Sequence, residues 1–418
     1  MADNREVITG GDYKRMVAGA YSEFLLEYEK INGAAVADSY RGKLPGTHIL
    51  RTLGAGIIPL ATAKDESIGG LARRVATAAM FGARGTGGVV LSEMFRGLAK
   101  GLSGKYNATS SEFGKAFQYG ILFAQRVLPE SPDSQFIAAA KAVAKAAYHA
   151  VRANLPISEI LTAAIKAGEK VDAAKSSVGE MIMFTFLRGC LKGLDGNFVS
   201  PAVSLSLGLT AGQDNLPDPR HDLVRPYCIT FKIINPQADI LDAEKQLREY
   251  GEFALVERRE NELWVHLHTD EVGKVVENAV GWGPVKELRL INMSEPHVLI
   301  SHEALLKVAV LVVADSESEA EKWRRAGAKI IVRGNEYNSP SLAELIGAAH
   351  SDLASTYVMI AAYPDHFLVF QQAKRILGSR VELVLCHGEA EAANALNAFD
   401  DKKSAAQNAV IMAGAARL

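Results

Sequence analysis

Cysteine is scarce, with three residues in a chain of 418. Three thiols build no disulfide framework, so burial must hold the fold together and a reducing, cytoplasmic setting is expected. A surplus of one charge is also lacking, the formal net charge being −2. Without a basic field, nucleic-acid binding is disfavoured. Apolar runs stop short of the roughly 20 residues that cross a bilayer, so no membrane span is expected. The opening Met1-Ala-Asp-Asn-Arg-Glu6 carries no signal-peptide pattern. What is abundant is small and apolar: 36 glycines and a 48% hydrophobic content leave room for two or three cores.

Periodicity divides the chain into three domains and a linker. Residues 1–209 are alanine-rich with helical spacing almost throughout, which predicts an all-α domain. The clearest helix has Ser131 as cap, Pro132 in its first turn, and Phe136, Ala140, Val143, Ala147 and Val151 along one apolar stripe. Residues 210–224 mix Pro, Gly and Asp without period and read as a linker. Residues 225–300 alternate as βαββαβ, the ferredoxin-like α+β pattern. Residues 301–418 repeat strand and helix, which predicts a parallel, three-layer α/β domain.

Two clusters carry candidate chemistry. Gly82, Ala83, Arg84, Gly85, Thr86, Gly87 and Gly88 place four glycines in seven positions, ahead of a helical pattern at Val89, Val90, Met94 and Leu98 with Ser92 and Glu93 outward. Such a turn lets backbone N–H groups approach an anion at a helix N-terminus. It is neither a Walker loop nor GxGxxG, and a tight interhelical turn whose glycines permit close packing explains it as well. In the second cluster, His266 and His268 emerge from one face of a strand. The ferredoxin-like order brings the end of that strand to the start of the one carrying Cys228. Cys plus two His with an open fourth position suits zinc, and a buried thiol beside two surface histidines is the alternative. Cys190 and Cys386 read as core thiols. His297 and His302 read as ordinary. Asn338-Ser-Pro340 and Tyr363-Pro-Asp365 follow strands where doubly wound sheets bind ligands, although such residues more often mark turns.

With this layout, the run GARGTGGVVLSE at Gly82–Glu93 resembles GARGNSGVILSQ of the catalytic subunit of bacterial fatty-acid kinase, whose first domain is related to the ATP-binding subunit of dihydroxyacetone kinase. Ile8–Met16 through Glu29-Lys-Ile-Asn32, Tyr227-Cys228, Val265–Thr269 and Ala398-Phe-Asp400 extend the likeness over nearly the whole chain, while the family's last C-terminal region has no counterpart after Leu418. The resemblance implies an all-α helical barrel that binds ATP or ADP, and phosphoryl transfer to a fatty-acid carboxylate presented by a fatty-acid-binding protein. It also implies a homodimer, and a metal site at Cys228, His266 and His268.

One departure bears on activity. The family holds magnesium with aspartates of NVFPVPDGDTGTNM; aligned with one inserted residue at Leu44, the two metal-binding aspartates become Arg41 and Lys43, while Gly42, Gly46 and Thr47 are kept. Protonated Arg and Lys have no lone pair for a cation but can neutralise phosphate directly. Gly46, Thr47 and His48 complete the candidate nucleotide-contacting set. The expectation is a kinase-like protein that binds phosphate or nucleotide with magnesium doubtful and catalysis impaired. A working kinase with other metal ligands, such as Asp38 or Asp195, and a zinc-containing interaction scaffold are the alternatives.

Overall fold

The computed structural model describes residues 7–37, 44–61, 63, 67–127, 134–169, 178–196, 227–259, 261–292, 306–333, 339–349 and 354–417. The chain divides into two compact units, Met1–Asp222 with Glu336–Ser341, and Leu223–Asn335 with Leu342–Leu418. The expected middle and C-terminal domains therefore share one unit, each around its own core.

The first unit holds α1 (Gly10–Ala37), α2 (Pro45–Ala61), α3 (Ile68–Phe81), α4 (Gly85–Gly101), α5 (Ser110–Val127), α6 (Ser134–Arg152), α7 (Ile157–Glu169) and α8 (Val178–Leu194). A short antiparallel pair, β1 (Val7–Ile8) with β2 (Ala108–Thr109), accompanies them. Each helix packs on the next and α8 returns to α1, closing a ring about one hydrophobic core. Local signals account for the helices. Ser67 caps α3 by accepting from the Gly70 N–H, and Ile68, Leu71, Ala72, Val75, Ala76 and Ala79 then form its buried stripe. In α6, Val143, Ala147 and Val151 are buried as the spacing required, whereas Ser131 and Pro132 and the side chains of Phe136 and Ala140 lie outside the described residues. The closing contact of α1 with α8 is made by glycines: a Cβ on Gly193 would stand 2.1 Å from the Arg15 carbonyl oxygen.

In the second unit, β3 (Tyr227–Ile234), α9 (Ile240–Tyr250), β4 (Gly251–Arg259), β5 (Glu262–Thr269), α10 (Val272–Trp282) and β6 (Val285–Asn292) follow the expected βαββαβ order. The sheet runs β4-β5-β3-β6 with antiparallel neighbours. Ile229, Phe231, Ile233, Leu263, Val265 and Leu267 pack against Ala243 and Leu247 of α9 and Val275 and Ala279 of α10. That is the face assigned to the helices by alternation.

The remaining elements are β7 (Leu306–Ala314), α11 (Glu317–Arg325), β8 (Ile330–Arg333), α12 (Leu342–Ala349), β9 (Ala354–Ala361), α13 (Phe367–Leu377), β10 (Val381–Leu385), α14 (Glu389–Asn397) and α15 (Ala405–Ala415). The four strands are parallel in the order β10-β9-β7-β8. Val308, Val310 and Val312 join a core with Trp323 and Met412, and Ala309, Leu311 and Val313, of opposite parity, are buried too. A strand buried on both faces reads as a continuous apolar run, and β7 does. Tyr363-Pro-Asp365 forms a turn after β9, entering a short 3-10 helix at Pro364–His366. Cys190 and Cys386 are the core thiols expected, burial pushing Cys386 up to about 11 and Cys190 further.

Candidate functional site

The candidate anion turn and the start of α2 meet in the ring. Thr47, His48, Arg51 and Thr52 recur at helical spacing along α2, and all four are buried. This polar stripe meets the first turn of α4. A Cβ on Gly85 would lie 2.3 Å from His48 Nδ1, and one on Gly88 would lie 2.4 Å from Thr52 Oγ1. The Arg84 N–H donates to Thr52 Oγ1 at 3.4 Å, and that hydroxyl donates to the His48 carbonyl at 2.8 Å. His48 stands one turn inside α2 and Gly85 opens α4, so two helix N-termini lie side by side. Their aligned peptide dipoles raise positive potential where they converge, the field an anion seeks.

The start of α2 is held from α1. Asn32 Oδ1 accepts from the N–H groups of Gly46 at 2.8 Å and Thr47 at 3.3 Å, and its amide donates to Thr47 Oγ1 at 2.9 Å. Gly46 is needed for the fit, since a Cβ there would stand 2.3 Å from the Tyr28 carbonyl oxygen. Gly46 and Thr47 thus do structural work, and Asn32 is a positioning residue that spacing did not single out. Asn32→Ala is expected to cost about 1–2 kcal/mol, as loss of a helix cap does. Asn32→Asp, which keeps an acceptor for both N–H groups and loses only the amide donor to Thr47, should lose less. Urea unfolding followed by circular dichroism checks both.

The structure corrects the expected geometry of the turn. Helix α4 begins at Gly85, four residues before the start inferred from Val89, with Gly85 at φ +54°. Its glycines admit α2, as the close-packing reading held. Ser92 and Glu93, expected to point outward, are both 1% exposed, and Glu93 pairs with Arg96 at 2.5 Å. A second buried carboxylate, Glu180, lies in the first turn of α8. Arg41, Lys43 and Asp38 lie outside the described residues. Asp195 follows the end of α8, whereas Ile182 near the start of that helix approaches Gly87. Thirteen residues of helix separate Asp195 from Ile182 by about 20 Å, so Asp195 stands away from the turn.

In the antiparallel sheet, Cys228 lies directly opposite His268, and Thr230 opposite His266. The side chains of Cys228 and His268 lie outside the described residues, and among the described residues no three His, Cys, Asp or Glu side chains form a metal-binding group. His266 is buried, contrary to the alternative of two surface histidines. Burial lowers its pKa to about 4, keeping it neutral at pH 7. His297, His302 and Asn338 lie outside the described residues.

A helical domain with this turn, followed by this sheet, defines a class, and comparison with known proteins gives it the same outline. Residues 45–181 match the DAK2 domain model, and residues 225–299 match the FakA-like middle-domain model of fatty acid kinase. The chain belongs to the fatty-acid kinase catalytic subunit family. Protein YloV of Bacillus subtilis is 23% identical over 406 residues, covering 88% of this chain and 73% of that protein. Uncharacterized proteins of Staphylococcus epidermidis and of Staphylococcus aureus strain USA300 are each 22% identical, covering 87% and 88% of this chain and 72% of their own lengths. None of the described helices is long and apolar enough to cross a membrane.

Proposed function

We propose that the helical domain binds the phosphates of ATP or ADP where α2 and α4 begin, in a kinase-like protein whose phosphoryl transfer is impaired. The observation that carries this reading is the packing of His48 on Gly85, which brings the first turn of α2 beside the glycine turn. The segment just before α2 in the chain carries Arg41 and Lys43 at the aligned positions of two metal-binding aspartates. Their donor chemistry does not fit magnesium, because neither protonated side chain offers a lone pair. It fits phosphate, which Arg grips as a fork and Lys as a point charge. The chain would hold nucleotide without the cation that normally bridges phosphate oxygens, and binding would outlast catalysis. On the same reading its partner is a fatty-acid-binding protein, as in the family, and it acts in the cytoplasm as a homodimer. Calorimetric titration with ATP should give the same affinity with and without magnesium; tight binding only with magnesium would overturn the charge-inversion reading.

A second function, zinc binding in the middle domain, is supported by the pairing of Cys228 with His268, two residues from a buried, neutral His266. The set of one thiolate and two imidazoles fits zinc, and neutral imidazole is the ligating form. Such a site would tie β3 to β5. Metal analysis of the purified protein should find zinc, and Cys228→Ser should lower its content severalfold. Equal and negligible zinc in both proteins would remove this reading.

A further inference from the structure

Residues 336–341 stand between β8 and α12 in the chain yet cluster with the helical unit. Their described part is buried: Ser339, Pro340 and Ser341, the last fully. Loops ordinarily run over a surface, because buried main-chain groups must find partners. Here the partner is Arg84, itself 1% exposed, whose guanidinium Nη1 donates to the Ser339 carbonyl oxygen across 255 residues of sequence. The direction of that carbonyl is constrained locally, since Pro340 restricts the preceding Ser339 to extended backbone.

Arg84 is at the same time the N-cap residue of α4, with extended backbone, φ −126° and ψ 139°. Its main-chain N–H rests on Thr52, and the next residue is Gly85 at φ +54°. One residue therefore joins the first turn of α4 to the buried Ser339–Ser341 segment.

We infer that Arg84 is a positioning residue that couples phosphate occupancy of the Gly85–Gly88 turn to the seating of Ser339–Ser341, an inference that rests on the phosphate-binding reading above. An anion bound at the helix N-terminus fixes the backbone of Gly85 and hence of Arg84, and a fixed Arg84 holds the Ser339 carbonyl. The coupling is positive, because competition would require the buried guanidinium to leave its place. By linkage, loosening the segment must weaken anion binding by the same factor.

Hydrogen exchange of the full chain, read on the peptide spanning 339–345 with and without saturating ATP and, separately, inorganic phosphate, tests this. In the wild-type protein, exchange of that peptide should slow about tenfold on binding. In Arg84→Met it should be fast already, and ATP should not slow it. Because a buried arginine can be needed for folding, Ser341→Trp approaches from the other side: Ser341 is fully buried, so the bulky ring unseats the segment while the turn keeps its own residues. ATP affinity of that variant should fall about tenfold. If wild-type protein binds ATP while exchange at 339–345 is unchanged, or Ser341→Trp binds ATP as wild type does, the coupling is overturned and the phosphate reading stands. If neither ATP nor phosphate gives any heat of binding, both are overturned.

Discussion

Gly85→Ala should destabilise the helical unit by about 3 kcal/mol, from two causes that act independently. The first is conformational: Gly85 sits at φ +54°, a region that costs an L side chain roughly 1–2 kcal/mol. The second is steric: the new methyl would stand 2.3 Å from His48 Nδ1 and 3.0 Å from its Cε1. His48 is a 1% exposed ring inside the core, so it cannot swing into solvent, and overpacking of this kind costs typically about 1–3 kcal/mol. For a unit of this size the sum lowers the melting temperature by about 10 °C. Gly87→Ala is the control, since its methyl would meet only side-chain ends, Ile49 Cδ1 at 3.1 Å and Ile182 Cδ1 at 4.0 Å. The double variant His48→Ala/Gly85→Ala should recover the steric part and keep the conformational one, which a double-mutant cycle separates. A Gly85→Ala melt within about 2 °C of wild type would show that the turn relaxes freely.

The same turn marks the boundary of what could be read from the chain alone. The middle domain was readable because alternation fixes which face of each strand is buried, and the order of elements fixes which strand ends meet. Cys228 opposite His268 follows from those two facts. The α/β domain was readable for a similar reason: apolar runs too short for helices, such as Val308–Val313, alternate with helical spacing. The start of α4 was not, because glycine is a poor helix former and four glycines in seven positions read as loop. Here packing overrides propensity: α2 passes so close that small residues are required in the helix itself. Ser92 and Glu93 turned inward for the same reason, since a helix that begins at Gly85 is embraced on more than one side. Asn32 acts across 14 residues and Arg84 across 255, and neither partner is announced by local spacing. The stripe of Thr47, His48, Arg51 and Thr52 was the available signal, four polar residues on one face of an otherwise apolar helix.

Putting aspartates at positions 41 and 43 should reverse the response of the protein to magnesium. On the proposed reading, Arg41 and Lys43 each make a charge-assisted contact to phosphate, worth about 1.5–3 kcal/mol when a partner is ionised. Arg41→Asp/Lys43→Asp removes both and adds repulsion, so ATP affinity without magnesium should fall about 100-fold or more. Magnesium should then restore affinity to the double variant, while leaving wild type unchanged. Leu44 sets how complete that restoration is. It is the residue inserted in the alignment, and it occupies φ +51°, a conformation rare for leucine. The insertion lengthens by one residue the spacing between positions 41 and 43 and Gly46, and on the proposed reading that spacing differs from the one a metal site requires. Deleting Leu44 from the double variant should therefore raise magnesium-dependent affinity further, whereas deleting it from wild type should not create any magnesium dependence. Titration of the four proteins with ATP, with and without magnesium, reads out each arm. Unchanged magnesium-free affinity in the double variant would mean that Arg41 and Lys43 do not touch phosphate, and the charge inversion would lose its functional meaning.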